Sequence, residues 1–197
     1  MFELILSLAI KFWMWTAVIT FIIIGFIINM FDKKIDGRVG FKYKEYPSMK
    51  PIRIATKGKG FFSAIKMWLL GSRQWEISED FEYQINKQTY VIPKGFKFDG
   101  ASIPKFFRSF LSPTGVLLLG GLVHDYAYKY AALKPGGRGA RNKPLLLLDQ
   151  KRADEIFRDI NIEINGFFLL NYLAYWGLRV GGFLAWNGHR KVNAKIK

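Results

Sequence analysis

The chain of 197 residues holds only two histidines and no cysteine, so imidazole chemistry has two candidates and thiol chemistry none. His124 lies in the apolar segment VLLLGGLVHDYAYKYA (116–131), with Asp125 next to it and Tyr128 four residues on. On a helix, positions i and i+4 share a face, so His124 and Tyr128 are expected to meet one pocket. Asp125 then points about a quarter turn away. One histidine with one adjacent aspartate is a poor metal site, because neighbours on a helix do not readily coordinate the same ion. Without cysteine there is neither a disulfide framework nor a thiolate site. The expectation is a buried polar cluster holding no metal and no cofactor. His189, in the basic stretch GHRKVNAKIK, is expected to face solvent.

A second group is FDGASIP at 98–104. Asp99 followed by Gly, with Ser102 and Pro104 after it, is turn chemistry, in which the Asp or Ser side chain bonds nearby backbone N–H groups. The alternative is that Asp99 and Ser102 meet His124 across the fold, which would supply the parts of an activated nucleophile. No Gly-x-Ser-x-Gly elbow accompanies them. Asp154, early in a helical stretch, is a further candidate acid. The loop GGRGAR at 136–141 could form an anion nest with Arg138 and Arg141. It lacks the Gly-Lys-Ser/Thr ending of a P-loop and follows no strand, so a flexible basic loop is the plainer reading.

The elements that must position these residues follow an apolar start. From Phe12 to Ile28 no residue is charged, and LILSLAI precedes that run, interrupted only by Lys11. This predicts a transmembrane anchor over residues 1–31, with Lys11 snorkelling and Trp13 and Trp15 at the interface. A buried soluble helix is the alternative. MFELILSL carries no basic n-region and no small-x-small site follows, so cleavage as a signal peptide is not expected. Lys33, Lys34, Arg38, Lys42, Lys44, Lys50, Arg53, Lys57, Lys59 and Lys66 follow the run, opposed by Asp36 and Glu45. The excess of positive charge predicts a single-pass protein with its N-terminus outside and its basic domain on the cytoplasmic or inner side.

The formal charge is +15, from 30 Lys and Arg against 15 Asp and Glu. Such a charge attracts polyanions: anionic lipid headgroups, nucleic acid without sequence preference, or an acidic wall polymer. A plain solubility surface is the alternative. A hydrophobic fraction of 50% and an aromatic fraction of 17% exclude a disordered chain.

Residues 32–71 read as a basic juxtamembrane linker with a short apolar segment, FFSAIKMWLL (61–70), either an interfacial helix or the first core element. Residues 72–187 read as an α+β domain, a small antiparallel hairpin or sheet packed with three or so helices. WEISEDFEYQI (75–85) alternates in strand fashion with one irregularity at Glu79-Asp80, and TYVIPKGFKF (89–98) returns after a turn at Asn86-Lys87-Gln88. Asp149 is the expected N-cap of a helix running through Ile164. GFFLLNYLAYWGLRVGGFLAW (166–186) is apolar enough for a second span. Asn171 and Arg179 argue instead for a core helix, since a central arginine is costly in lipid. Residues 188–197 read as a mobile basic tail.

FDGASIP (98–104), LVHDYAY (122–128) and RADEIF (152–157), in that order, together with Tyr172, Tyr175, Trp176, Gly177, Arg179 and Trp186, resemble the domain-of-unknown-function family 1353. The resemblance covers roughly residues 72–187. It implies a bacteriophage or prophage origin, a single small α+β domain, and Asp99, Ser102, His124, Asp125, Tyr128 and Asp154 as the polar motif positions. It implies no activity. The N-terminal segment with its basic linker and the loop at 134–144 are departures from the usual short form.

Two classes of function fit. One is a non-enzymatic virion-membrane or host-envelope component that contacts anionic lipid, nucleic acid, or other phage or host membrane proteins. The other is an envelope hydrolase acting on peptidoglycan, with His124 as general base or acid supported by Asp99, Asp125 or Asp154. A superinfection-exclusion or lysis-control factor is a third reading.

Overall fold

The computed structural model describes residues 11–31, 39–53, 58–70, 74–98 and 115–192. The chain divides into two units, Met1–Gly37 and Arg38–Lys197.

The first unit contains helix α1, Trp13–Phe31. Its residues are apolar on every side, and Trp13, Trp15, Ile19, Ile23, Ile24 and Ile27 are all exposed. Among the described residues no helix is long and apolar enough to cross a membrane. The 19 residues of α1 rise about 28 Å at 1.5 Å each, just under the roughly 30 Å of a hydrocarbon core. The transmembrane span expected over 1–31 is therefore not reproduced by the described helix alone. Residues 1–10 lie outside the described residues.

The second unit mixes α and β structure, as expected. Its elements are β1 (Phe41–Tyr43), β2 (Met49–Pro51), α2 (Phe61–Leu70), β3 (Trp75–Ile77), β4 (Phe81–Ile85), β5 (Gln88–Ile92), β6 (Lys97–Phe98), α3 (Leu118–Tyr130), β7 (Ala132–Leu133), β8 (Leu146–Leu147), α4 (Gln150–Asn165) and α5 (Phe168–Val192). A single 3-10 turn at Ala140–Asn142 lies between β7 and β8. All strand pairs are antiparallel, in the orders β1-β4-β5, β2-β3-β6 and β7-β8.

The irregularity at Glu79-Asp80 is a break between sheets. β3 pairs with β2 and β6, whereas β4 pairs with β1 and β5. Asp80 Oδ1 accepts from the Lys94 backbone N–H at 2.8 Å, which ties the crossing to the turn before β6. Between β4 and β5 the turn is tighter than expected. Ile85 pairs directly with Gln88, and Asn86 and Lys87 take φ of 50° and 67°. This is the left-handed two-residue turn whose twist suits a hairpin. The alternation then places Phe81, Tyr83, Ile85, Tyr90 and Ile92 in the core. Tyr83 stacks on both Phe81 and Tyr90 at 5.6 and 5.9 Å between ring centroids.

Part of the segment read as linker is structural. Val39 and Phe41 are buried, β1 extends the first sheet and β2 the second. Strands of three residues are too short to display a period, which is why they read as linker. The C-terminal segment read as a tail also differs. Helix α5 continues to Val192, and Arg190 donates to the carbonyls of Tyr128 and Lys129 at 2.6 and 2.9 Å. It thereby satisfies the last turn of α3, where unpaired carbonyls favour a cation.

Helices α3, α4 and α5 pack on one another and bury the apolar face behind the sheets. Asp149 caps α4 as expected, accepting from Arg152 N at 2.7 Å. Gly166, at φ 67°, ends it in the left-handed conformation. Asn165 then clasps the turn: its amide donates to Val116 O, and its oxygen accepts from Phe167 N and from Asn171 Nδ2. Gly120 lets α3 approach α4, since a Cβ there would overlap the buried Asn161 side chain, itself bonded to Phe157 O.

Two glycine substitutions should therefore act in opposite directions. Gly120→Ala should lower stability by about 1 kcal/mol or more, overpacking outweighing its helix-propensity gain. Gly181→Ala, where a Cβ meets nothing within 4 Å, should raise it by about 0.5–1 kcal/mol. Urea midpoints of the two variants against wild type check both. Equal shifts would refute the close approach at Gly120.

Candidate functional site

Asp154 sits on the first turns of α4, fully buried between α3 and α5. Its Oδ1 accepts from His124 Nε2 at 2.8 Å and from the Tyr128 hydroxyl at 2.6 Å. Its Oδ2 accepts from Arg179 Nη1 at 2.9 Å. Three donors from two neighbouring helices thus converge on one carboxylate. His124 and Tyr128 come from one face of α3, as their spacing requires, and their rings lie 4.0 Å apart. Phe157 closes the other side of the imidazole edge-on, 5.3 Å between ring centroids.

Gly182 makes the arrangement possible, because any side chain there would collide with the Tyr128 hydroxyl and crowd Gln150. Trp186 meets the Tyr128 ring edge-on at 5.2 Å. Arg190 lies over the Trp186 ring at 4.8 Å while holding the end of α3. The C-terminal half of α5 therefore latches onto α3 at Gly182, Trp186 and Arg190 as well as onto Asp154 through Arg179.

Charge and burial act together here. Burial works to lower the His124 pKa, but the charge of Asp125 and the hydrogen bond and charge of Asp154 outweigh it and hold the pKa above its ordinary 6.5. His124 Nδ1 lies 3.9 Å from Asp125 Oδ1, an ion-pair distance beyond direct hydrogen bonding. Tyr128 is pushed up chiefly by burial and then by the Asp154 charge. The Arg179 guanidinium, despite burial that works to lower its pKa, is held above its usual range by Asp154. Two carboxylates and two cations balance when His124 is protonated.

The structure brings together His124, Tyr128 and Asp154, with Asp125 beside them. Asp99 and Ser102 lie outside the described residues. His189 does not stand out in solvent as expected. It lines, with Asp125, Tyr128, Lys129, Phe96 and Phe98, an open cavity of about 470 Å³. Arg138 is exposed in its loop, where the neighbouring Gly137 N–H faces the Glu82 carboxylate at 3.4 Å. That carboxylate already occupies an N–H an anion nest would use. Arg141 falls in the 3-10 turn, its side chain outside the described residues. Lys42, Lys44, Arg53 and Lys59 are exposed, while Lys33, Lys34, Arg38 and Lys57 lie outside the described residues. Among the described residues no group of three His, Cys, Asp or Glu side chains could hold a metal ion.

Sequence reasoning did not place Arg179, Gln150, Gly182 or Arg190 in this cluster. The signal for Arg179 was present, since a charge inside an apolar helix needs a partner. The spacing could not say which acid supplies it.

A family profile described as "Protein of unknown function (DUF1353)" matches residues 75–178, just over half of the chain. The chain belongs to this family. No curated protein and no solved structure matches it. The matched segment opens at β3 and contains His124, Tyr128 and Asp154. It stops one residue short of Arg179, so the cation and the Gly182–Arg190 latch lie just beyond it.

Asp154→Ala should cost about 3 kcal/mol, because it leaves the buried His124 and the part-buried Arg179 without their counter-charge. For His124 the folded pKa is raised above the unfolded one. Its contribution is thus fully present below about pH 6.5 and lost as pH rises through the folded value. Denaturant unfolding across pH 6–9 should show wild-type stability falling, and a flatter profile for His124→Gln. Parallel profiles would remove the charged histidine from the network.

Proposed function

We propose that this protein is a membrane-anchored, basic, non-enzymatic component of a phage virion membrane or of the host envelope. The observation that carries the reading is α1: an apolar helix exposing Trp13, Trp15, Ile19, Ile23, Ile24 and Ile27. In water those side chains would forgo about 1.5–3 kcal/mol each of burial. The apolar sequence continues upstream through LILSLAI, which would bring the span to bilayer thickness. The charge of +15 supplies attraction to an inner leaflet or to packaged nucleic acid. The bias of Lys and Arg after α1 orients the domain to the cytoplasmic or inner side.

The His124 cluster supports a structural role over a catalytic one. The imidazole is fully buried, its Nε2 is committed to Asp154, and Asp154 is already satisfied by Tyr128 and Arg179. A general base needs a free lone pair within reach of substrate.

The competing hydrolase reading draws on one observation, that Asp125 and Tyr128 border the 470 Å³ cavity. A role in superinfection exclusion or lysis control would use the same anchor and a protein partner.

The full chain, expressed in a bacterial host, should stay with the membrane fraction through alkaline carbonate and high salt. Release by carbonate would refute the anchor. Degradation of peptidoglycan by the purified chain, abolished in His124→Gln with the fold intact, would install the hydrolase instead.

A further inference from the structure

Helix α2, Phe61–Leu70, presents an apolar face that the domain leaves uncovered. Phe61 and Phe62 are 73% and 83% exposed, the most exposed phenylalanines among the described residues. Their rings pack edge-to-face, with centroids 5.6 Å apart. Ile65, one turn after Phe61, is also exposed, so the three side chains form one face. Ser63 lies on the opposite side of the turn.

The surroundings of this face say what covers it. Between Glu45 and Glu76 the sequence has no acidic residue, and it carries Lys50, Arg53, Lys57, Lys59, Lys66 and Arg73. Lys50, Arg53 and Lys59 are exposed. Lys50 pairs with Glu76 at 3.0 Å. An apolar face in a stretch of sequence whose charged residues are all cations matches an anionic lipid surface, where the rings enter the acyl boundary and the cations meet headgroups.

Chain length supplies the second argument. The buried core begins at Val39, eight Cα steps after the end of α1 at Phe31. Eight steps reach at most about 28 Å. With α1 in the bilayer, chain connectivity alone keeps Val39 within that distance of the end of the span.

We propose that α2 lies in the plane of an anionic membrane, with Phe61, Phe62 and Ile65 inserted, as a lipid contact in addition to α1. The tether argument rests on the anchor reading; the charge and exposure of α2 do not.

The absence of cysteine allows single spin labels through Phe62→Cys, Ser63→Cys and Ile23→Cys in the full chain. Each variant is reconstituted in vesicles of phosphatidylethanolamine with phosphatidylglycerol. Collision with oxygen, which concentrates in lipid, is compared with collision with a water-soluble nickel chelate. The label at Phe62 should favour oxygen several-fold over the label at Ser63. Equal nickel access at both positions overturns the inference. Shielding of Phe62 from both reagents also overturns it, since protein then covers that face. The Ile23 label reads the anchor separately. Lipid exposure at Phe62 with water at Ile23 keeps the α2 contact and removes the span, and the opposite pattern does the reverse.

Discussion

A carboxylate removed from water must be compensated where it lies, and Asp154 is compensated by side chains from both neighbouring helices. An uncompensated buried charge would neutralise itself or unfold its surroundings. Here His124 and Tyr128 bind one oxygen and Arg179 the other, so the anion prescribes the positions of α3 and α5 relative to α4. Much else in the second unit follows from that. Gly182 is small because the Tyr128 hydroxyl stands against it. Gly120 is small because α4 must come close enough on the other flank to seat Asn161. Buried ionic groups of this kind add less net stability than apolar residues of the same shape would. What they add is selection among packings, since a helix slipped by one residue would strand a charge.

The same demand explains why the cluster holds the residue types of a catalytic constellation while it ties three helices together. Histidine, aspartate, tyrosine and arginine are the parts of many active sites. In an active site, one lone pair or proton is left for the substrate. Here both oxygens of Asp154 and the imidazole Nε2 are taken up within the protein, while Nδ1, 3.9 Å from Asp125, makes no hydrogen bond. The open cavity nearby touches the cluster through Asp125 and Tyr128, while the histidine itself stays behind them.

Local signals predicted local structure well. The i, i+4 relation of His124 and Tyr128, the cap at Asp149 and the alternation from Phe81 to Ile85 each depend on a few adjacent residues, and each is found. The hairpin turn was placed within a residue, since Asn and Lys can both adopt the left-handed conformation. Features set by long-range partners were not legible. β1 and β2 carry too few residues for a period and owe their existence to β4 and β3. Arg179 could be flagged as needing an acid, yet only the packing of α5 on α4 assigns Asp154 to it. The role of Arg190 was hidden for the same reason, because its acceptors lie 61 and 62 residues earlier in the chain.

That last separation has a consequence for synthesis. Synthesis reaches α3 and α4 before the latch on α5. Until Arg179, Gly182, Trp186 and Arg190 have been made, α3 lacks both the cation for its shared carboxylate and the cap for its final carbonyls. Contacts this distant cannot be rewarded early, because loop closure must come before them. Until then α3 keeps an apolar face and Asp154 lacks its arginine. A chain lacking Arg179 to Arg190 would have neither that cation nor that cap. Closure of α3 on α4 thus depends on residues 179–190 as much as on residues 124–154.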